Sequence, residues 1–287
     1  GYAGAMTTIP NLTLNDGHAI PQLGFGTFQV PPGKTAATVR AALDAGYRHI
    51  DTAQMYDNEA GVGEAVRASG LAREDVFITS KLNTGAHLPD EARRAFEGTL
   101  QALGTDYVDL FLIHWPMVLS YGGDFVSTWK VLEEFKADGR ARSIGVSNFR
   151  VQDLQRLLDE TDVIPAVNQI EVNPYFANDP LRRFGHEHGI LTEAWSPLAQ
   201  GAALGEPALL QVAERAGRTP SQVIVRWHLQ RGDIVFPKTI SPERMRENLS
   251  VLDFELGPDD MAALATIDRG PGGRTGADPE TFDYKPG

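Results

Sequence analysis

The sequence predicts an α/β fold, a (β/α)8 barrel with an N-terminal β-hairpin cap and a short C-terminal tail. Two observations lead there. Short β-branched or apolar runs alternate along the chain with amphipathic stretches of helical period, the pattern of parallel strands joined by crossover helices. Eight such runs fit into 287 residues, close to the roughly 250 typical of that barrel. A third observation weighs against the main competitor. A doubly wound dinucleotide fold announces itself with G-x-G-x-x-G at its first strand-helix turn, whereas GFGTFQ from residue 24 and GVGEAV from residue 61 both lack the third glycine. Those glycines read as turn and packing residues.

Residues 1–5 read as an expression scar ahead of a start at Met6, without the basic and apolar regions of a signal peptide. Residues 6–287 read as a single domain, since no Pro/Gly/Ser linker, repeat or low-complexity tract interrupts them. LTLNDGHAIPQLG (12–24) holds two short strand-like runs around NDG, a hairpin signal, and would cap one end of the barrel. The strands expected next are 22–26, 49–52, 76–81, 108–114, 141–147, 166–172, 190–195 and 233–237. Helical stretches lie between them. TAATVRAALDAG (35–46) stops at Gly46, PDEARRAFEGTLQALG (89–104) starts on Pro and acids and stops at Gly104, and 123–139 behaves alike. The last 18 residues read as a loop or loose tail.

Composition narrows the function. The chain is 42 % hydrophobic and 22 % charged, with a net charge of −12, so its surface repels phosphate backbones and anionic lipid; neither nucleic acid nor a membrane is an expected partner. The absence of cysteine removes disulfide scaffolds, thiolate metal sites and cysteine nucleophiles, and is compatible with a reducing cytoplasm, the expected location. No apolar run approaches the roughly 20 residues a bilayer span requires. NLT at 11 and NLS at 248 read as chance glycosylation matches. A barrel of this size can stand as a monomer.

Chemistry in such a barrel gathers at the C-terminal ends of the strands. There Asp51, Lys81 and His114 each follow an apolar run, and Tyr56 lies in the loop after Asp51. Burying Asp or Lys is costly unless they are paired, so the two predict an ion pair, either a structural bridge between strands or part of a reacting group. Tyr56 favours the second reading: a phenol beside an ammonium has a lowered pKa and makes a workable general acid. His114 could orient a carbonyl oxygen or share the proton transfer. Neither a G-x-S-x-G elbow nor H-E-x-x-H is present, and the histidines of HEH (186–188) do not share a helix face, so no metal site is expected. A Tyr acid with no nucleophile suits protonation of a carbonyl oxygen while a hydride-carrying cofactor supplies the electron pair.

GFGTF, YRHIDTAQMYDNE, TSKL, VDLFLIHWP, IGVSNF, NQIEVNP and FPKTISPERMRENL resemble the aldo-keto reductases in order and spacing from about residue 10 to 268. The resemblance implies an oxidoreductase acting on CH–OH groups with NADP+ as acceptor, in a barrel that binds NADPH across its C-terminal face. Asp51, Tyr56, Lys81 and His114 match the family's catalytic four: Tyr56 the acid, Lys81 its partner, Asp51 the group holding Lys81, His114 the orienter. For the cofactor it implies Gly26, Thr27, Phe28 and Asp51 beside it, and Ser147, Asn148 and Gln169 on the nicotinamide carboxamide. Trp195 would stack on the ring, although it also has a core-filling reading. Ser196, Pro197, Leu198 and Gln200 would wrap the pyrophosphate. Lys238, Thr239, Ile240 and Arg244 would meet the adenosine 2′-phosphate, with Glu247 and Asn248 at the adenine. The competing reading makes Arg244 and Glu247 a solvated surface pair. Phe28, Tyr56, His114 and Trp115 would line the substrate mouth. HWP and the short segment 117–123 look like the prokaryotic branch that includes 2,5-diketogluconate reductases, implying small aldehydes, α-dicarbonyls or keto-sugars. A nucleotide-sensing regulatory subunit of the same fold, with little turnover, is the alternative.

Overall fold

The computed structural model describes residues 8–286, so the scar expected at 1–5 lies outside the described residues. The NDG turn forms a hairpin, with β1 (Asn11–Thr13) antiparallel to β2 (Ala19–Pro21) and Gly17 at φ 92°. Only glycine takes such a backbone without penalty. Leu14 and Ile20 beside this turn pack onto Phe77, Ala166 and Ile234, residues at or near the start of barrel strands, so the hairpin plugs the N-terminal end. Asp16 fixes it by accepting from Ser143 Oγ (2.6 Å) and Lys136 Nζ (3.0 Å).

The barrel strands are β3 (Phe25–Gly26), β4 (His49–Asp51), β5 (Phe77–Leu82), β6 (Val108–Ile113), β7 (Ala141–Ser147), β8 (Val167–Glu171), β9 (Leu191–Trp195) and β10 (Ile234–Val235). Each pairs parallel with its sequence neighbour, and a Leu23–Val235 bridge closes the ring. At that seam Gly24 N–H donates to Val235 O and Val235 N–H to Gln22 O, each at 3.0 Å. All eight expected strands form. The two at the seam are shorter than expected because Pro237 offers no N–H and the Phe236 ring presses on Gly24, where a Cβ would come within 2.8 Å of it.

The helices follow the strands outward: α1 (Pro32–Ala45), α2 (Glu59–Ala68), α3 (Pro89–Leu103), α4 (Phe125–Ala137), α5 (Val151–Glu160), α6 (Asp179–Glu187), α7 (Pro207–Ala216), α8 (Pro220–Gln230), α9 (Pro242–Leu249) and α10 (Pro258–Ala265). Gly46 and Gly104 end α1 and α3 in the left-handed conformation, as their positions predict. The glycines of GVGEAV are packing residues inside α2: a Cβ on Gly63 would overlap the Leu103 carbonyl at the end of α3. The main core lies between strands and helices, with Phe96 of α3, Phe111 of β6 and Phe135 of α4 stacked at its middle.

The C-terminal segment is a loop, the first of the two readings expected, with one short 3-10 turn at Gly270–Gly273, and it is not loose. It returns over the barrel and is pinned by Glu171, a buried carboxylate at the end of β8 that accepts from Thr275 N–H (2.7 Å), Thr275 Oγ1 (2.8 Å) and Gly276 N–H (2.9 Å). Farther on, Phe282 stacks on Trp115 with ring centroids 3.9 Å apart, and Thr84 Oγ1 donates to Tyr284 O. A carboxylate that would otherwise be buried unpaired claims the backbone donors of Thr275 and Gly276. Among the described residues no helix is long and apolar enough to cross a membrane.

Candidate active site

The parallel pairing of β4 with β5 sets Asp51 beside the strand that carries Lys81. Lys81 is fully buried, and its ammonium uses all three protons: on Asp51 Oδ1 at 2.7 Å, on Thr52 O at 3.0 Å and on the Tyr56 hydroxyl at 3.2 Å. Burial opposes its charge, but Asp51 and Tyr56 more than offset that and raise the pKa above the ordinary lysine value.

Tyr56 ends a short 3-10 turn, Gln54–Tyr56, riveted by Gln54, which donates to Ala95 O and Thr99 Oγ1 and accepts from Asn83 N–H. Its ring packs against Phe28 at 5.3 Å and edge-on to His114 at 5.7 Å. Tyr56 is half-buried, and its hydroxyl lies 3.2 Å from the fully buried Lys81 ammonium. Desolvation therefore raises the phenol's pKa, Lys81 pulls it down and Asp51 pushes it up, with a net rise. This corrects the expectation of a lowered pKa: Lys81 moderates a burial effect that is larger than its own. The phenol therefore holds its proton at neutral pH.

Asn58 braces the loop that carries Tyr56. It occupies the N-cap position of α2 without capping it; its side chain donates to Thr27 O (2.9 Å) and Val30 O (3.2 Å) and accepts from Thr52 Oγ1 (2.6 Å). The loops after β3 and β4 are thereby tied together around Tyr56, and Thr27 adds its own N–H to Asp51 O at 3.0 Å. Gly26 is the register partner of Asp51.

His114 follows β6. Burial first, then the Lys81 charge, holds its pKa well below the usual histidine value, so the ring is neutral; its Nδ1 is buried without a hydrogen-bond partner. Its carbonyl accepts from Asn148 Nδ2 at 3.0 Å. Asn148, at φ 63°, also donates to Ser147 Oγ and accepts from Trp195 Nε1 at 2.8 Å. Ser147 Oγ donates to Gln169 O, and Gln169 Nε2 donates to Asp51 Oδ2 at 2.9 Å. Thus Ser147, Asn148, Gln169 and Trp195 adjoin the Asp51–Lys81–Tyr56 cluster, with the Trp195 indole drawn onto Asn148.

Two rim segments carry the remaining candidates. In the first, Ser196, Ala199, Gln200 and Gly201 all have left-handed backbone, Leu198 is half-buried, and Pro197 O accepts from His228 Nε2 at 3.1 Å. Ser196 Oγ is buried without a partner. In the second, Lys238 donates to Gln29 Oε1 and lies 5.6 Å from the centre of the Phe28 ring; both are exposed, as is Ile240. Thr239 Oγ1 accepts from Ser241 N–H, and Ser241 Oγ caps α9 at Arg244 N–H. Arg244 is exposed and makes no ion pair among the described residues, so the surface pair with half-buried Glu247 is not formed. Asn248 is buried on the same helix. An unpartnered buried hydroxyl, two exposed cations and a helix N-terminus fit a phosphorylated nucleotide.

Sequence reasoning missed three contributors: Glu193, whose carboxyl meets Gln169, and Glu171 and Phe282, which bring the tail over the mouth. For the two acids the signal is an ionisable residue within a predicted barrel strand, at the end of NQIE for Glu171 and in the middle of LTEAW for Glu193. For Phe282 there is none, because its partner Trp115 lies 167 residues away.

The family model described as "Aldo/keto reductase family" matches residues 22–269, and the chain belongs to that family. An aldo-keto reductase of Mycolicibacterium smegmatis is 47 % identical over 96 % of this chain and 98 % of its own length. Methylglyoxal reductase DkgA of Yersinia pestis is 45 % identical over 96 % of this chain and 99 % of its own. Among solved structures, a variant of Gox0644 crystallised in complex with NADPH matches with a TM-score of 0.92 at 44 % identity, covering 97 % of this chain and 100 % of that one.

Proposed function

We propose that the protein reduces small aldehydes, α-dicarbonyls or keto-sugars to alcohols with NADPH, with Tyr56 as general acid. The carrying observation is the buried lysine that holds the phenol at 3.2 Å and a carboxylate at 2.7 Å. When bound, NADPH supplies the hydride. Lys238 and Arg244 would hold its 2′-phosphate, Ser196 to Gln200 its pyrophosphate, and Ser147, Asn148 and Gln169 its carboxamide. The substrate enters past Phe28 and Trp115. Tyr56 O–H then faces the carbonyl oxygen and gives up its proton as charge develops there; the phenolate left behind is stabilised by Lys81, whose own charge Asp51 balances. Neutral His114 orients the same oxygen. The relatives support this reading, one being named a methylglyoxal reductase and another being crystallised with NADPH. Tyr56→Phe is expected to abolish methylglyoxal-dependent NADPH oxidation while NADPH still binds; full activity in that variant would remove Tyr56 from its role.

A further inference from the structure

Glu193 is fully buried on β9, inside the barrel. Its Oε1 accepts from Gln169 Nε2 at 3.3 Å, and the same nitrogen donates to Asp51 Oδ2 at 2.9 Å. One amide therefore spans two carboxyl groups. Among the described residues, Glu193 Oε2 is buried with no hydrogen-bond partner and its carboxyl makes no ion pair, the nearby Lys81 being paired with Asp51. The charged groups acting on it are Asp51 of β4 and Lys81 of β5. The adjacent strands β8 and β10 contribute Gln169 and Ile234, neither of them titratable. His49, two residues before Asp51 on β4, is neutral: burial lowers its pKa to about 4.

One lysine cannot balance two buried carboxylates, and Lys81 is already committed to Asp51. The carboxyl without a cation is the one that keeps its proton. A glutamine fills the same volume but cannot release a proton, so only the acid can change the charge at this position.

We propose that Glu193 is a positioning residue whose proton sets the charge of the barrel floor and thereby the balance between reduction and oxidation. Protonated, it leaves Asp51 and Lys81 as a neutral pair below Tyr56. When the proton is released to solvent, the floor gains one negative charge, which favours the cationic oxidised nicotinamide over the neutral reduced one and so alcohol oxidation over carbonyl reduction. This rests on the assignment of NADPH and of the Asp51, Tyr56, Lys81 and His114 group. Burial and the Asp51 charge raise the Glu193 pKa to about 8, with Gln169 and Lys81 acting in the opposite sense, so release falls within the range where enzymes work.

The test compares the full-length protein with Glu193→Gln in two measurements. In wild-type-minus-variant infrared spectra, a protonated carboxyl stretch is expected at pH 7 and is lost as pH rises through about 8. In fluorescence titrations, the NADP+ to NADPH dissociation-constant ratio is expected to fall roughly tenfold across the same step in the wild type and to stay flat in the variant, the size expected for one added charge at intermediate dielectric. No carboxyl band at pH 7, or an affinity step that persists in Glu193→Gln, would overturn the proposal. The loss of the band across this pH step is followed in wild-type spectra alone, the variant serving only to assign it, so that readout survives a poorly folding variant. It is also independent of turnover, so a failed Tyr56 assignment leaves it in place and is recognised separately.

Discussion

Lys81 has three protons and three acceptors, with nothing left for water. Replacing it by methionine strands Asp51 as a buried anion, and unfolding titrations are expected to show a loss of about 3–5 kcal/mol. Adding Asp51→Leu should recover much of that stability without recovering turnover, which separates the pair's electrostatics from its chemistry. At the rim, Lys238→Ala combined with Arg244→Ala is expected to weaken NADPH by about tenfold to a hundredfold. NADH should be almost unaffected; equal weakening of both would mean that these cations do not read the 2′-phosphate. Asp51, Lys81 and His114 are legible in the sequence because each interrupts an apolar strand at the end where barrels do chemistry. The behaviour of Tyr56 was less legible. Its neighbours can be inferred from the strand pattern, but the desolvation that outweighs Lys81 depends on depth, which no spacing reveals.

At the scale of elements, α2 and α3 meet where Gly63 faces the Leu103 carbonyl. Gly63→Ala forces backbone against backbone and is expected to cost about 1–3 kcal/mol in urea unfolding. Gly98→Ala is the control: this exposed position in α3 has open space around it and should gain about 0.5–1 kcal/mol from the better helix former. The helix ends at Gly46 and Gly104 and the hairpin at NDG are written locally and match the structure within a residue or two. The seam strands and the tail are not, because both depend on partners far along the chain. Glu171→Gln tests the latter: with a carboxylate replaced by an amide that cannot accept on both sides, limited proteolysis is expected to cut within 274–286 first. Equal resistance would mean that the Phe282–Trp115 stack holds the segment unaided.

Over the whole molecule, buried histidines and Glu193 bend stability in opposite directions with pH. His49 and His87 are pushed to about 4 by burial, and His114 and His228 are also lowered. Their folded pKa values lie below the unfolded value of about 6.5. Their stabilisation is therefore present above that pH and is lost as pH falls towards 4. Glu193, raised to about 8 from an unfolded value near 4.5, works the other way: its contribution is complete below the unfolded value and is lost as pH rises to about 8. Each group adds a slope of about 1.4 kcal/mol per pH unit within its window. Stability from these groups should peak near pH 6.5, and Glu193→Gln should flatten the alkaline side. Urea midpoints from pH 5 to 9 check both; a wild-type curve still climbing at pH 9 would contradict them. The barrel as a whole was readable from its alternation, because strand and helix periods are set by local patterning, whereas this pH profile emerges only once distant groups share one interior.

The Trp195–Asn148 contact gives this enzyme an internal indicator. If a carboxamide from the nucleotide claims Asn148, the indole must release it, and the same ring also abuts Gly276 of the C-terminal segment. Intrinsic emission should then change on saturation with nucleotide, and Trp195→Phe should silence most of that signal, letting occupancy be followed optically before any substrate is added.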